Sequence, residues 1–270
     1  MFMTTKNLLS VGLCLASALV FSSCSKESDA VTKSDEVSAA VLSQISQMGF
    51  TTQGATVVDG GYVVEGDIFL SDADLASPRA AQLLRVGSEE QYRTTEIVNV
   101  GTGRTISVAV ASTLPAAYVT ATDEVIRRYN AENLLIRLVR VSSGAEILLD
   151  RAPKSARYLA SAGFPSGGNP FNSVKVNSGA IGTANPSTYI ATILAHEIGH
   201  CIGFRHTDYA DRSYSCGGAT SNEGASTVGA VLIPGTPAGP DPNSWMLACI
   251  GSGQNRPFNA NDVTALGFVY

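Results

Sequence analysis

The sequence predicts an α+β fold in which a twisted mixed sheet follows a small helix-plus-hairpin unit. Alternating apolar segments on either side of Asp59-Gly60-Gly61 indicate a hairpin, because Asp and Gly accept the positive φ angles of a tight turn. A strand-helix-strand order that begins near Gly101 indicates a crossover helix and therefore parallel strands. The chain has 270 residues, 44% of them hydrophobic, so it can build a substantial core.

The first 23 residues have the pattern of a signal peptide, in which an apolar run from Leu8 to Phe21 follows a lysine. The run is shorter than the about 20 residues that a membrane-spanning helix needs. The small residues before Cys24 resemble the lipobox of bacterial lipoproteins, whose signal is cleaved before a cysteine that is then acylated. We therefore predict acylation of Cys24, a tether over 24–33, and a chain anchored through lipid in the bacterial outer membrane. The alternative is an ordinary signal peptide in which the cysteine occurs by chance.

Residues 34–100 form a predicted accessory unit or pro-segment. Its helix is expected to be capped by Ser34 and closed by Gly49, and its apolar face consists of Val37, Val41, Ile45 and Met48. The two hairpin strands are predicted over Thr56–Val58 and Tyr62–Ile68.

Residues 101–184 carry the predicted start of the main sheet. The apolar positions of the first strand and of the helix after it are Ile106, Val108 and Val110, and then Tyr118, Ala121, Val125 and Tyr129. The later strands are predicted over Leu134–Val141, Glu146–Leu149 and Ser173–Val176.

A longer helix is predicted after this sheet. Asn185 is the expected N-cap, Pro186 occupies the first helical position, and the helix runs to about Ile202. Gly203 is expected to end it.

The last turns of this helix carry His196 and His200 four residues apart, so both side chains lie on one face and can hold one metal ion. Glu197 projects beside that ion, where it can act as the general base for a zinc-activated water. A catalytic zinc usually has three protein ligands and an open fourth position. A third ligand is therefore required.

His206 is the predicted third ligand. In a continuous helix it would lie about 15 Å from His196 along the axis, so the chain has to turn back. Gly203 permits this turn because a residue without a Cβ accepts the left-handed conformation. The chain has 3 His and 26 Gly in 270 residues, and from this composition both residues would follow the pair by chance roughly once in a thousand.

The segment 196–206 resembles the zinc signature of the metzincin metallopeptidases, and its His-Glu-Ile-Gly-His start resembles the bacterial dual-action HEIGH metallopeptidases. The resemblance covers roughly Gly101 to Tyr270, with an extension into the preceding unit as the alternative. It implies a zincin-like catalytic domain over 101–270 with an active-site helix, a methionine turn and a C-terminal helix.

The methionine turn of metzincins lies beneath the metal, and Met246 is the candidate for it in this chain. The alternative is an ordinary core methionine. Several metzincin groups add a tyrosine ligand two residues later, but Ala248 stands there, so the resemblance implies no tyrosine ligand from this turn. Arg205 and Tyr209 are candidates for transition-state help, with surface or packing roles as the alternative.

Three cysteines follow Cys24, and export permits their oxidation. We predict a disulfide between Cys216 and Cys249, with a bridge between Cys201 and Cys216 as the alternative. Cys201 falls on the apolar side of its helix and is interpreted as a small buried hydrophobic residue.

The predicted function is that of a secreted zinc endopeptidase with Zn²⁺ as cofactor and protein or peptide substrates, acting as a monomer. By resemblance, the loop Thr207–Asn243 walls the pocket for the side chain after the scissile bond, and the strand near Tyr158–Phe164 pairs with an extended substrate. The net charge of −5, with 18 Lys and Arg and no basic cluster, argues against nucleic acid as a partner.

Two other functions compete with this prediction. One is a surface binding or adhesion protein with a structural zinc site, and the other is a zinc amide hydrolase that acts on cell-wall peptides. The role of residues 34–100 also has alternatives: an inhibitory pro-segment, an accessory domain or a packing partner. This region has no cysteine to block the metal, whereas Asp67 offers a carboxylate and is otherwise interpreted as a solvated hairpin residue.

Overall fold

The computed structural model describes residues 36–76, 91–237 and 239–270. The predicted signal peptide, Cys24 and the tether lie outside these residues. The described chain has the α+β fold that the sequence predicts, with helices packed on a mixed sheet. Within these ranges, every helix is too short or too polar to traverse a bilayer.

The strands and helices follow one another along the described chain. The strands are β1 (Thr56–Val58), β2 (Gly61–Val64), β3 (Ile68–Ser71), β4 (Tyr92–Arg93), β5 (Arg104–Val110), β6 (Ile136–Arg140), β7 (Ile147–Arg151), β8 (Ala160–Ala162), β9 (Ser173–Val176) and β10 (Val231–Leu232). The helices are α1 (Ala39–Gln47), α2 (Asp72–Ala76), α3 (Ala116–Ala131), α4 (Ser178–Ile181), α5 (Ser187–Ile202), α6 (Ser213–Cys216) and α7 (Ala260–Val269).

One sheet of eight strands has the order β1-β2-β3-β8-β9-β7-β5-β6. The pairs β5–β6, β5–β7, β7–β9 and β3–β8 are parallel, and the remaining pairs are antiparallel. The parallel part contains the crossover through α3 that the strand-helix-strand pattern predicts. A separate two-stranded sheet joins β4 to β10.

The main hydrophobic core lies between this sheet and the packed helices α3 and α5. Tyr118, Val125 and Tyr129 of α3 are fully buried there, as are Ile190 and Leu194 of α5. The α3 residues are those that the helical period of the sequence predicts, whereas α5 is buried on all sides from Tyr189 onward. The core therefore fixes the position of α5, the helix that carries the paired histidines.

The first helix begins later than the sequence predicts. The prediction of Ser34 as its cap is wrong, because α1 starts at Ala39 and the Ser38 hydroxyl accepts a hydrogen bond from the Val41 amide at 3.3 Å. Val37 is buried just before the helix, and Gly49, with a φ of 84°, follows its end.

The predicted hairpin is present, but its second strand divides in two. β1 pairs with β2 as expected, and the predicted strand Tyr62–Ile68 is interrupted by a turn over residues 65–67, after which β3 folds back on β2. β3 also pairs with β8 through Ile68 and Ala162. The hairpin strands therefore continue the main sheet.

The N-terminus of α5 also differs from its prediction. Asn185 is not the N-cap, because its side-chain amide donates to the carbonyl of Ile181 at 3.1 Å and the helix starts at Ser187 after Pro186. The C-terminus is as predicted, with Gly203 in the left-handed conformation at a φ of 111°.

Candidate metal centre

The three predicted histidine ligands converge in the structure. His196 and His200 lie one turn apart on α5, and their Nε2 atoms are 3.0 Å apart. Beyond Gly203 the chain turns back, so the Nε2 atom of His206 lies 3.2 Å from that of His200. All three side chains are buried. The left-handed residue at the helix end is therefore what brings His206 to the pair.

Each imidazole is held by a hydrogen bond on its far side, from Nδ1 to an oxygen. The acceptors are the Trp245 carbonyl for His196 at 3.0 Å, the Phe204 carbonyl for His200 at 2.8 Å and the Glu223 carboxylate for His206 at 2.6 Å. Since these oxygens can only accept, the proton is assigned to Nδ1. The Nε2 atoms of His196 and His200 then present lone pairs to the shared centre. Burial would lower the pKa of His206, but the charges of Asp67 and Glu223 outweigh it and raise the pKa well above its usual value, so His206 Nε2 donates to Asp67 unless a metal ion displaces that proton.

This arrangement fits a metal ion. The lone pairs of His196 and His200 Nε2 face each other at 3.0 Å and repel unless a cation lies beside them, and imidazoles without an Nε2 proton are ligands that zinc accepts. The ligand atoms of the three histidines and of Asp67 all lie within 4.8 Å of one another. Burial and the neighbouring imidazoles hold the pKa of His200 well below its usual value, so this ligand is neutral.

Asp67 reaches the same centre from the turn between β2 and β3. Its Oδ2 atom is 3.1 Å from Nε2 of His206 and 3.4 Å from Nε2 of His196. Its Oδ1 atom is buried and has no hydrogen-bond partner among the described residues. Burial would raise the pKa of Asp67, but the imidazoles of His206 and His196 outweigh it and hold the pKa well below the usual value. The interpretation of Asp67 as a solvated hairpin residue is therefore wrong.

Glu197 is buried beside these ligands and lines the same cavity as His196 and Asp67. Burial, and then the negative charge of Asp67, raise its pKa well above the usual value. Within the described part of the chain, its Oε2 atom has no hydrogen-bond partner. The carboxylate is thus next to the centre and has an oxygen free for another molecule.

Met246 packs against Gly199 of α5, in the helical turn between His196 and His200. It is fully buried, and its carbonyl accepts a hydrogen bond from the Thr207 amide at 3.0 Å. Gly199 makes the close approach possible, since a Cβ there would lie 2.5 Å from the Trp245 ring and 2.7 Å from the Met246 sulfur. Met246 therefore packs against the helix that carries His196 and His200, and its role as an apolar floor beneath the metal stays a prediction.

Arg205 and Tyr209 have packing contacts. The Nη1 atom of Arg205 donates to the carbonyls of Gly224, Ala225 and Gly229 at 2.8, 2.8 and 3.1 Å. Its Nη2 atom lies 3.7 Å from Glu65 and 3.6 Å from Glu223. The Tyr209 ring packs edge-on against Tyr92 at 4.3 Å and beneath the Arg205 guanidinium. Both side chains therefore organise the loop after His206.

The sequence reasoning missed Glu223, whose carboxylate orients His206. The available signal was weak: Glu223 is the only Glu in the long Gly-, Ser- and Pro-rich loop Thr207–Asn243. The carbonyl acceptors for the other two histidines are main-chain atoms, which no residue type reveals.

Cys216 and Cys249 form a disulfide, and Cys201 is a buried free thiol. Burial raises the pKa of the Cys201 thiol well above its usual value. The bridge links α6 to the segment after Met246.

A cavity of about 240 Å³ adjoins the metal centre. Of the described residues in the loop Thr207–Asn243, only Arg212 lines this cavity. The segment after the methionine turn contributes more, namely Leu247, Ala248, Cys249 and Ile250. The strand predicted to pair with substrate, β8, lies between β9 and β3, and the Ala162 amide donates to the Asp67 carbonyl at 3.0 Å. In this structure both sides of β8 therefore have chain partners.

A comparison with protein families gives a match over most of the chain. The family model described as dual-action HEIGH metallo-peptidase matches residues 62–270. The match begins in β2, so it includes Asp67 and extends into the unit before Gly101, which is the wider of the two extents that the sequence resemblance allows. Among curated protein sequences, none matches significantly.

Solved structures give partial likenesses. A structure of myroilysin is 15% identical, covers 63% of this chain and 82% of its own, and has a TM-score of 0.39. A crystal structure of myroilysin is 15% identical, covers 71% of this chain and 99% of its own, and has a TM-score of 0.38. High choriolytic enzyme 1, a hatching enzyme zinc-protease from Oryzias latipes (medaka fish), is 14% identical, covers 70% of this chain and 98% of its own, and has a TM-score of 0.38.

Proposed function

Since the chain belongs to the dual-action HEIGH metallopeptidase family, we propose that it is a zinc-dependent endopeptidase with His196, His200 and His206 as metal ligands. The observation that carries the proposal is the convergence of three buried imidazoles. Their Nε2 atoms face one another, and the Nδ1 atom of each has an oxygen acceptor on the far side of the ring. Imidazole ligands in a site of this size favour zinc over metals that prefer oxygen ligands.

When bound, the zinc ion would polarise the scissile carbonyl and lower the pKa of the attacking water. Glu197 is the proposed general base, which takes a proton from that water and then delivers it to the leaving amine. Its unpartnered Oε2 atom and its place in the cavity beside His196 support this role.

The Glu197→Ala variant tests this role. We expect it to retain stoichiometric zinc, measured by elemental analysis, and to lose peptide cleavage by about 10²–10⁴-fold. Glu132→Ala, at the end of α3 and outside the cavity lining, is the matched control and should cleave at the wild-type rate. Cleavage by Glu197→Ala at the wild-type rate would refute the general-base role.

Asp67 raises a question about the fourth coordination position. Zinc sites closed by four protein ligands are usually structural, so Asp67 by itself favours the structural alternative. Two observations favour a blocked catalytic site instead. Asp67 comes from a turn of the N-terminal segment, far along the chain from the histidines, and a buried Glu197 with an unpartnered oxygen has no use in a structural site. We propose that the segment before Tyr92 is an inhibitory pro-segment.

Two contacts besides Asp67 hold this segment against the rest of the chain. Glu65, which is fully buried and is positioned within the segment by a hydrogen bond from the Thr51 amide at 3.2 Å, lies 3.7 Å from the Arg205 guanidinium. β3 pairs with β8 along the side where an extended substrate is predicted to pair. Release of the segment would therefore free the fourth ligand position and the β8 edge together.

The Asp67→Ala variant of the full chain tests the block. We expect peptide cleavage to rise about tenfold or more over the wild-type chain, because the variant shifts the population toward the open site. Asp59→Ala, which removes an exposed aspartate from the neighbouring turn, should match the wild type. A zinc-loaded Asp67→Ala chain that cleaves no peptide would favour the structural site.

N-terminal sequencing of the active form tests whether the segment is removed. It should show a start beyond Asp67, and an intact start at Cys24 would argue against a removable segment.

We also propose that the chain is exported and anchored through an acylated Cys24, which rests on the sequence pattern before that residue. Palmitate labelling of cells should be lost in Cys24→Ala. Labelling that persists in this variant would remove the anchor from the proposal.

A further inference from the structure

The cavity beside the metal centre has the size of one amino-acid side chain. Its volume is about 240 Å³, and its lining includes both His196 and Glu197. If these two residues act as proposed, a side chain in the cavity has to belong to a substrate residue next to the scissile bond. The cavity lining therefore determines which residues are accepted there.

Arginines dominate the charge of this lining. Arg157, Arg212 and Arg256 contribute to it, and among the described residues its carboxylates are Asp67 and Glu197 alone. Arg212 is already paired, with its Nε atom 3.1 Å from Glu223. Within the described ranges, neither Arg157 nor Arg256 has a carboxylate partner within 4.0 Å.

Arg256 is half-buried and fixed in place. Its Nη1 atom donates to the Cys249 carbonyl at 2.8 Å, and its Nη2 atom donates to Gln254 Oε1 at 3.3 Å. These bonds use two of the five N–H donors of a guanidinium. Asp208 is nearby, but its oxygens accept from the Ala248 amide at 2.9 Å and the Ser215 hydroxyl at 2.5 Å. Arg256 therefore has donors left for a ligand in the cavity.

We infer that Arg256, with the exposed Arg157 at the rim, makes this peptidase prefer an acidic side chain, Asp or Glu, in the cavity. This inference rests on the proposed function. A fixed guanidinium can bind a carboxylate through two parallel hydrogen bonds, and a lysine or arginine side chain there would meet an unpaired positive charge. Release of the segment that carries Asp67 would also remove one of the two carboxylates of the lining.

Matched peptides test the preference. One peptide sequence is made with Glu, Gln or Lys at either position flanking the scissile bond, and kcat/KM is measured for the wild-type full chain and for Asp67→Ala. At one of the two positions we expect Glu to be cleaved at least about tenfold faster than Gln, and Lys to be the slowest. Arg256→Gln should bring the ratio of Glu to Gln close to one, and Arg256→Lys should give an intermediate ratio. Arg256→Glu should reverse the preference toward Lys.

Arg137→Gln is the control, since Arg137 is exposed on β6 and does not line the cavity. It should leave the ratio of Glu to Gln unchanged. Equal cleavage of the three peptides by the wild type, or an unchanged ratio in a folded Arg256→Gln chain, overturns the inference while the endopeptidase proposal stands. Cleavage of no peptide by either parent chain overturns both.

Discussion

The group that accepts the Nδ1 hydrogen bond of each histidine fixes the orientation of the imidazole ring, and therefore the position of its Nε2 atom. Two of the acceptors are carbonyls, whose positions are fixed by the end of α5 and by the methionine turn. The third is the Glu223 side chain, which stands in a long loop and is itself held near Arg205 and Arg212. His206 is therefore the ligand whose orientation depends most on a side chain that a substitution can remove.

Replacement of Glu223 tests this dependence. Glu223→Ala removes the acceptor for His206 Nδ1, and we expect the affinity for zinc to fall about 10–100-fold, as for other partners of metal-bound histidines. Glu223→Gln keeps an oxygen acceptor without the charge and should give a smaller loss. Affinity is measured by competition with a chromogenic chelator, with Glu132→Gln as the matched control. An unchanged affinity in Glu223→Ala would show that the loop does not orient the ligand.

The sequence predicts the metal ligands on α5 because one helix fixes their spacing, and it predicts His206 because Gly203 explains the change of direction. Asp67 and Glu223 are harder to predict. Asp67 is separated from His206 by 139 residues and Glu223 by 17, and neither position has a periodic pattern that places it in space. Their contacts depend on which strands pair and on how a loop without regular structure folds back.

At the level of elements, the decisive contact is between α5 and the methionine turn. The helix presents Gly199 to Trp245 and Met246, and the Trp245 carbonyl in turn accepts from His196 Nδ1. The same turn therefore both packs against α5 and orients the His196 imidazole. A change that separates these two elements should disturb both stability and metal binding.

Gly199→Ala tests the shared contact. The added methyl group would overlap the Trp245 ring and the Met246 sulfur, and we expect a loss of about 1–3 kcal/mol in the free energy of unfolding. Gly267→Ala in α7 is the matched control, because a Cβ there meets no atom within 4 Å. Its free energy of unfolding should rise by about 0.5–1 kcal/mol through helix propensity. Urea denaturation in the presence of chelator separates these effects from metal binding, and equal behaviour of the two variants would contradict the packing argument.

Elements with a strong period, such as α3 and β5, are predicted with little error because each has one face in the core. α5 is buried on all sides from Tyr189 onward, and its prediction rests on Pro186 near its start and Gly203 at its end. Errors arise where two local signals compete. Ser34 and Ser38 can both cap a helix, and only the hydrogen bond to Val41 distinguishes them. In Tyr62–Ile68 the apolar alternation masks a turn at Gly66, after which the chain reverses direction.

For the whole molecule, the N-terminal strands belong to the same sheet as the strands around the metal centre. β3 is joined to β8 by one parallel pair and by the hydrogen bond from Ala162 to Asp67. Such a short, long-range pairing leaves no trace in local periodicity, so the sequence predicts a separate unit there. The segment, the sheet and the proposed metal ligands therefore form one connected structure.

Metal removal is therefore expected to lower the stability of the whole described chain. We expect zinc to bind the folded form, in which three buried imidazoles converge, and not the separated residues of the unfolded chain. At a free zinc concentration about 100 times the Kd, this linkage contributes about 2.7 kcal/mol. For a chain of this size, chelation should lower Tm by roughly 5–11 °C, and added zinc should restore it. In calorimetry, His200→Ala should show no response to zinc or chelator, because it lacks the central ligand. A wild-type Tm that ignores chelation, or a His200→Ala variant that responds like the wild type, would place the stabilising metal elsewhere.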